Sequence, residues 1–235
     1  KKLYKYESEI VSLFEKIYTI TEEDKERLYS MNSKVEITNL PAGVDVSKYF
    51  PMENENETDY PTLVFLGTMS WLPNINGIEW FLDEVFPGVL KVHPNTKLYI
   101  VGKNPPEKIY RYQKQYAENI VITGYVEDER DYVVLADAFI VPLRIGGGMR
   151  IKILNALAMR KPVVTTTIGV EGINLGDNSL LVADSSEEFL NATLKLIQDK
   201  PLSKQISTNG WKDVTEKYTN ESILYHHAKE LELSF

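Results

Sequence analysis

From Leu63 onward the chain alternates short apolar runs with stretches whose apolar residues recur every three or four positions. Leu63-Val64-Phe65-Leu66, Leu98-Tyr99-Ile100-Val101, Ile120-Val121-Ile122-Thr123, Phe139-Ile140-Val141, Val163-Val164-Thr165 and Leu180-Leu181-Val182 read as strands. Between them Ile78, Phe81 and Val85, and later Leu190, Leu194 and Ile197, fall at helical spacing. Strands that are apolar on both faces and alternate with helices predict a parallel sheet covered on both sides. The expected fold class is α/β, a Rossmann-like parallel sheet with helices on both faces.

The first sixty residues stand apart from that unit. Leu3, Ile10, Leu13, Phe14 and Ile17 mark an amphipathic helix, and Ile17 to Ile20 reads as a strand. Thr21-Glu22-Glu23-Asp24 forms a capping box for a second helix, and Val35 to Leu40 gives another strand, closing at Pro41-Ala42-Gly43. This is a βαβ fragment without the strands expected before it. The acidic stretch Met52 to Asp59 marks the boundary. The expectation is that the chain is the carboxyl-terminal part of a longer, two-domain protein.

Composition narrows the function classes. With 43% hydrophobic and 26% charged residues the chain matches an ordinary globule. No apolar run approaches the roughly 18 residues of a transmembrane helix, and no secretory signal is expected from this sequence. There is no cysteine, which excludes disulfides and thiolate metal sites. A formal charge of −8 argues against nucleic acid as a partner. His93, His226 and His227 have no metal-ligand spacing, so no metal site is expected.

Against that acidic background one basic, glycine-rich segment stands out: Gly146-Gly147-Gly148-Met149-Arg150-Ile151-Lys152, opening an amphipathic helix. Glycines admit close backbone approach, and a helix N-terminus presents free N–H groups to anions. Arg150 and Lys152 add full charges. A glycine run before a helix also serves as a plain tight turn. Here it follows the strand Ala138 to Val141, at the carboxyl edge where open α/β sheets place ligands. Gly67, Gly102 and Gly124 end three other strands along that edge. The reading is a seat for the diphosphate of a nucleotide or nucleotide-linked metabolite.

Several motifs in order resemble the group 1 (family 4) retaining glycosyltransferases. They are Phe65-Leu66-Gly67 with Trp71-Leu72-Pro73-Asn74, Ile100-Val101-Gly102, Thr123-Gly124-Tyr125-Val126, Ala136-Asp137-Ala138, Gly146 to Val164 and Gly169-Val170-Glu171-Gly172. Asn39 to Asp45 is similar to that family's interdomain element, with Ala42 in place of its usual Asn. The resemblance implies two Rossmann-like domains facing a cleft, a glycosyltransferase B-type fold, of which this chain is the donor-binding half. Residues 1–50 would be a remnant of the amino-terminal acceptor domain and interdomain segment, 60–218 the nucleotide-sugar-binding domain, and 219–235 a terminal helix crossing back. That helix would be poorly anchored, leaving Leu224, Ala228 and Leu231 as an apolar stripe that is exposed or buried in a crystal or dimer contact.

The resemblance also implies roles. Gly67, Gly147, Gly148, Met149, Arg150 and Lys152 would bind the donor diphosphate; Gly124, Tyr125, Val126 and Asn155 would hold base and ribose. It implies a nucleotide-sugar donor, a glycan or lipid-linked acceptor, no cofactor or metal, and a cytoplasmic hexosyltransferase-type enzyme of polysaccharide biosynthesis. Catalytic groups and any peripheral membrane association would belong to the amino-terminal half, so the isolated fragment would be inactive. Two departures matter. Gly147 and Asn155 stand where the family often carries two glutamates, the second binding ribose, and Thr68 and Asn76 replace a basic pair near the first glycine loop.

Single residues carry competing readings. Arg150 and Lys152 are two apart, so on a helix they cannot both face one point, and one of them would be solvated. Arg144 serves either an ion pair or the ligand; Glu171 caps the next turn or touches the ligand. Asp128 caps the helix it precedes. Trp80 and Trp211 read as core or interface, whereas Trp71 sits in the ligand-edge loop. A sugar-nucleotide epimerase of similar fold and a non-catalytic binding module are the alternative functions.

Overall fold

The computed structural model describes residues 2–52 and 59–230. The opening unit runs α1 (Lys2–Val11), β1 (Lys16–Thr19), α2 (Glu22–Met31) and β2 (Glu36–Asn39). β1 and β2 pair in parallel with Ile17 opposite Ile37, the expected βαβ fragment. Thr21 makes its half of the capping box, accepting from the Asp24 N–H at 3.1 Å, and three acids occupy the first turn of α2. The first helix is shorter than its pattern suggested. It ends at Val11, Leu13 and Phe14 lie exposed in the turn, and Ile17 enters β1. A run of Ile17, Tyr18 and Thr19 fits the pleated surface and finds a partner strand, so tertiary pairing overrides the helical period.

The main unit follows: β3 (Thr62–Leu66), α3 (Leu72–Trp80), a π-helical turn (Phe81–Val85), α4 (Phe86–Val92), β4 (Lys97–Val101), α5 (Glu107–Gln115) and β5 (Ile120–Gly124). It continues with α6 (Arg130–Val133), β6 (Ala138–Val141), α7 (Ile151–Ala158), β7 (Val163–Thr165), α8 (Thr167–Val170), β8 (Leu181–Val182), α9 (Ser186–Gln198) and α10 (Lys200–Lys217). The six strands form one parallel sheet in the order β5-β4-β3-β6-β7-β8. Strand order reverses between β3 and β6, and that switch point leaves a crevice at the carboxyl edge.

Successive residues of β3 point to opposite cores. Leu63 and Phe65 pack with Ile78, Phe81, Phe86 and Phe189 on one face; Val64 packs with Phe139, Ile153, Leu157 and Val214 on the other. On α9 the fully buried residues are Phe189, Thr193, Leu196 and Ile197, while Leu190 and Leu194 are only partly covered. α9 starts at a complete capping box between Ser185 and Glu188.

The last helix, α11 (Asn220–Glu230), is better anchored than expected. Ile223 and Ala228 are buried, Tyr18 meets His227 edge-on at 5.2 Å, and Thr219 bridges to Val44. Leu224 is exposed as expected; Leu231 and the core of the acidic boundary segment lie outside the described residues. The correction has a simple cause: α11 packs on the opening βαβ unit, which is itself present.

Candidate functional site

A cavity of about 600 Å³ opens at the switch point, walled by the ends of β3, β4 and β5 and by the start of α7. Two glycines there are required by close neighbours, a backbone carbonyl in one case and a side chain in the other. The Gly67 N–H donates to Val101 O and the Gly102 N–H to Gly124 O, extending the ladder past the strand ends. Gly102 has φ +147°, and a Cβ on it would lie 2.0 Å from Gly67 O. A Cβ on Gly67 would lie 2.6 Å from the Asn74 carboxamide. Both glycines line the cavity, as do Thr68, Tyr125 and Val126.

Asn74 is buried at the first turn of α3 and ties three segments together. Its Nδ2 donates to Thr68 O at 2.9 Å, and its Oδ1 accepts from Lys152 Nζ at 2.9 Å. Lys152 Nζ also donates to Leu66 O at 2.7 Å, and it lies 4.9 Å from the Phe65 ring centroid. Burial, reinforced by the nearby Arg150 charge, lowers the Lys152 pKa to about 7. An ammonium has three protons and these bonds use two.

Arg150 is the N-cap residue of α7, outside the helix proper, with φ −98° and ψ 87°. It turns back on the glycine loop, its Nη1 donating to Gly147 O at 2.6 Å and Gly148 O at 2.7 Å. Its guanidinium lies 5.4 Å from the Trp71 ring. Only 6% of the residue is exposed, yet Nε and Nη2 have no partner. Burial lowers its pKa, and Glu171 opposes that shift. Arg150 and Lys152 therefore line the same cavity, contrary to the helical-spacing argument. That argument fails because the helix begins at Ile151, one residue after Arg150.

Gly146, Gly147 and Gly148 do not line the cavity; the glycine loop reaches it through Met149 and through Arg150, which holds the Gly147 and Gly148 carbonyls. Gly146 and Gly148 have φ +109° and +83°, conformations that favour glycine, whereas Gly147 has no such requirement. Met149 and Ile151 face the cavity. Asn155 sits one turn further along α7, half-buried and outside the cavity lining. Gly124 has open space around its Cα, with Tyr125 exposed beside it. Arg144 is not brought to this cavity; it stacks on Trp80 at 5.4 Å and lines a separate one with Asp184. Asp128 accepts from the Arg130 N–H at 3.0 Å and pairs with its guanidinium; it lies one residue before the N-cap of α6, which is Glu129.

Sequence reasoning missed Asn74, Lys103 and Glu129, all of which line the cavity. Lys103 follows Gly102, a signal that was available. Glu129 accepts from the Tyr49 hydroxyl and lies 3.7 Å from Lys48 Nζ, contacts between distant segments that no local pattern announces. Among the described residues no group of three His, Asp or Glu is placed to hold a metal, and no helix is long and apolar enough to cross a membrane.

This geometry meets known proteins at family level. The family described as "Glycosyl transferases group 1" matches residues 60–199, well over half of the chain. The chain belongs to that family. An "uncharacterized 44.6 kDa protein in cps region" of Klebsiella pneumoniae is 30% identical over 176 residues, covering 72% of this chain and 45% of its own length. The putative teichuronic acid biosynthesis glycosyltransferase TuaC of Bacillus subtilis is 24% identical over 221 residues, covering 87% and 52%. The chain spans about half the length of the curated relatives it matches.

Solved structures agree on the fold. A sucrose-phosphate synthase from Thermosynechococcus elongatus superposes with TM-score 0.81 at 15% identity, over 98% of this chain and 61% of that one. A glycosyltransferase from Rickettsia africae gives 0.80 at 17%, over 99% and 66%. The parallel α/β sheet with flanking helices is thus one domain of a glycosyltransferase B-type fold.

Proposed function

We propose that this chain is the nucleotide-sugar-binding, carboxyl-terminal part of a retaining hexosyltransferase-type glycosyltransferase that builds a glycan or polysaccharide. The observation that carries the reading is the pair Arg150 and Lys152 at the start of α7. One has two buried, unpartnered guanidinium nitrogens and the other an ammonium held in the crevice beside them. Buried cationic donors without partners fit an anion, and a helix N-terminus adds its own amides. Gly67, Gly147, Gly148 and Met149 would let the diphosphate lie against backbone. Tyr125, Val126 and Gly124 would hold the base, and Asn155 the ribose.

In such a reaction the bond from the anomeric carbon to the diphosphate oxygen breaks, and the acceptor hydroxyl oxygen bonds to that carbon on the same face as its proton passes to the departing diphosphate. Negative charge collects on the departing diphosphate. Preorganised cations and amides stabilise it there more than in the bound donor. The proposal assigns this neutralisation to side chains and helix amides rather than to a metal or cofactor. Residues 1–50 would adjoin the acceptor-binding domain, and 219–235 would cross back toward it. The acceptor would be a glycan or lipid-linked molecule, and the enzyme would work in the cytoplasm. In support, two relatives carry teichuronic acid and capsular polysaccharide biosynthesis in their names.

The first test is a thermal-shift panel of UDP, GDP, ADP and their glucose conjugates, since bound ligand raises the unfolding temperature. The full-length protein is then assayed with the selected sugar nucleotide and a glycan acceptor. Transfer supports the proposal. An epimerised sugar nucleotide, or tight binding with no chemistry, replaces it with one of the two alternatives.

A further inference from the structure

Glu171, directly after α8, is a half-buried carboxylate beside the glycine loop. A Cβ built on Gly147 would lie 3.8 and 3.9 Å from its two oxygens and meet nothing closer. Glu171 also lines a second cavity, of about 730 Å³, together with Glu22, Glu23 and Asn39 of the opening unit. It therefore stands between the glycine loop, at Gly147, and this second cavity. Its charge reaches the buried Arg150, but the Arg150 donors that are bonded go to Gly147 O and Gly148 O.

A carboxylate repels phosphate and accepts from neutral hydroxyls, so its ligand is a polyol rather than the diphosphate itself. On the donor-binding reading, a sugar extending from the amides of α7 past Gly147 would meet the carboxylate of Glu171. Gly147 carries no side chain, which leaves that path open. Resting on the donor-binding reading above, we propose that Glu171 is a positioning residue. Its carboxylate accepts hydrogen bonds from hydroxyls of the transferable sugar and turns the anomeric carbon toward the second cavity.

The test is calorimetry on this chain with UDP, ADP and GDP, each alone and as its glucose, galactose and mannose conjugate. The wild type is expected to bind one conjugate tighter than the bare diphosphate. In Glu171→Gln that sugar-dependent gain falls roughly 10- to 100-fold, as for a lost charged hydrogen bond, while bare-diphosphate affinity stays within about twofold. An equal loss for conjugate and bare diphosphate overturns the proposal, since Glu171 then serves the Arg150 loop. A gain that persists in Glu171→Gln, or a wild type that gains nothing from any sugar, overturns it as well. Absence of all nucleotide binding in the wild type instead removes the donor-binding reading itself.

Discussion

Lys152 Nζ lies 2.9 Å from Asn74 Oδ1, joining the start of α7 to the first turn of α3 across the carboxyl end of β3. The bond spans the switch point of the sheet and brings a cation to the place where Thr68 and Asn76 supply none. Charge at this crevice thus comes from Arg150 and Lys152 at the start of α7 and from Lys103 after β4, rather than from the loop after β3.

Replacing Lys152 by Met is expected to weaken nucleoside diphosphate binding by about 1.5–3 kcal/mol, the range for a charged hydrogen bond. The effect has a pH signature. With its pKa lowered to about 7, the free lysine is mostly neutral at pH 8 and must take up a proton to meet the anion. Affinity for the diphosphate should fall as pH rises from 7 to 9. Calorimetry in buffers of different ionisation enthalpy checks this; zero proton uptake at pH 8 would count against it.

The same shift has the opposite sign for the stability of the ligand-free protein. The Lys152 pKa is lower folded than unfolded, so between about 7 and 10.5 the unfolded chain binds more protons. Stability from this group therefore rises with pH across that window. Urea titrations at pH 7 and 9 should show wild type gaining on Lys152→Met as pH rises. A constant difference between the two proteins would contradict the lysine's burial.

Gly102→Ala is expected to destabilise the fold by about 1–3 kcal/mol, through backbone strain at φ +147° and collision with Gly67 O. Gly67→Ala should do less harm to stability and more to binding, since it displaces Asn74 and with it the lysine clamp. Denaturation midpoints set beside diphosphate affinities separate the two effects. Equal stability losses without any change in affinity would break the link from Gly67 to the site.

Trp71→Ala removes the ring against which Arg150 rests, an interaction of about 0.5–2 kcal/mol. With the arginine freed, diphosphate affinity should drop severalfold while the melting temperature changes little, because Trp71 is exposed. A large loss of stability with affinity intact would make Trp71 a packing residue.

Asn155→Glu should tighten nucleotide binding if the residue faces ribose, since a carboxylate is the stronger acceptor for two hydroxyls. Binding of UDP, ADP and GDP to the variant measures it. Affinity unchanged for all three would place the ribose elsewhere.

The periodicity of the sequence by itself determined the strands, their parallel pairing class and the helices that cover them. A run such as Ala138 to Val141, apolar at every position, can only be buried on both faces, and the chain between such runs must then cross over as helix. The glycines at strand ends and before α7 were equally legible, because backbone space is written in a single residue type. Tertiary structure alone decided which polar groups meet. Asn74 and Lys152 are 78 positions apart, and Arg150 lines the cavity with Lys152 only because α7 starts one residue after it. The anchoring of α11 on the opening unit was decided there too, as the edge-on contact of Tyr18 with His227 shows. Periodicity records which face of an element is buried, and it carries no distance to residues brought near by the rest of the fold.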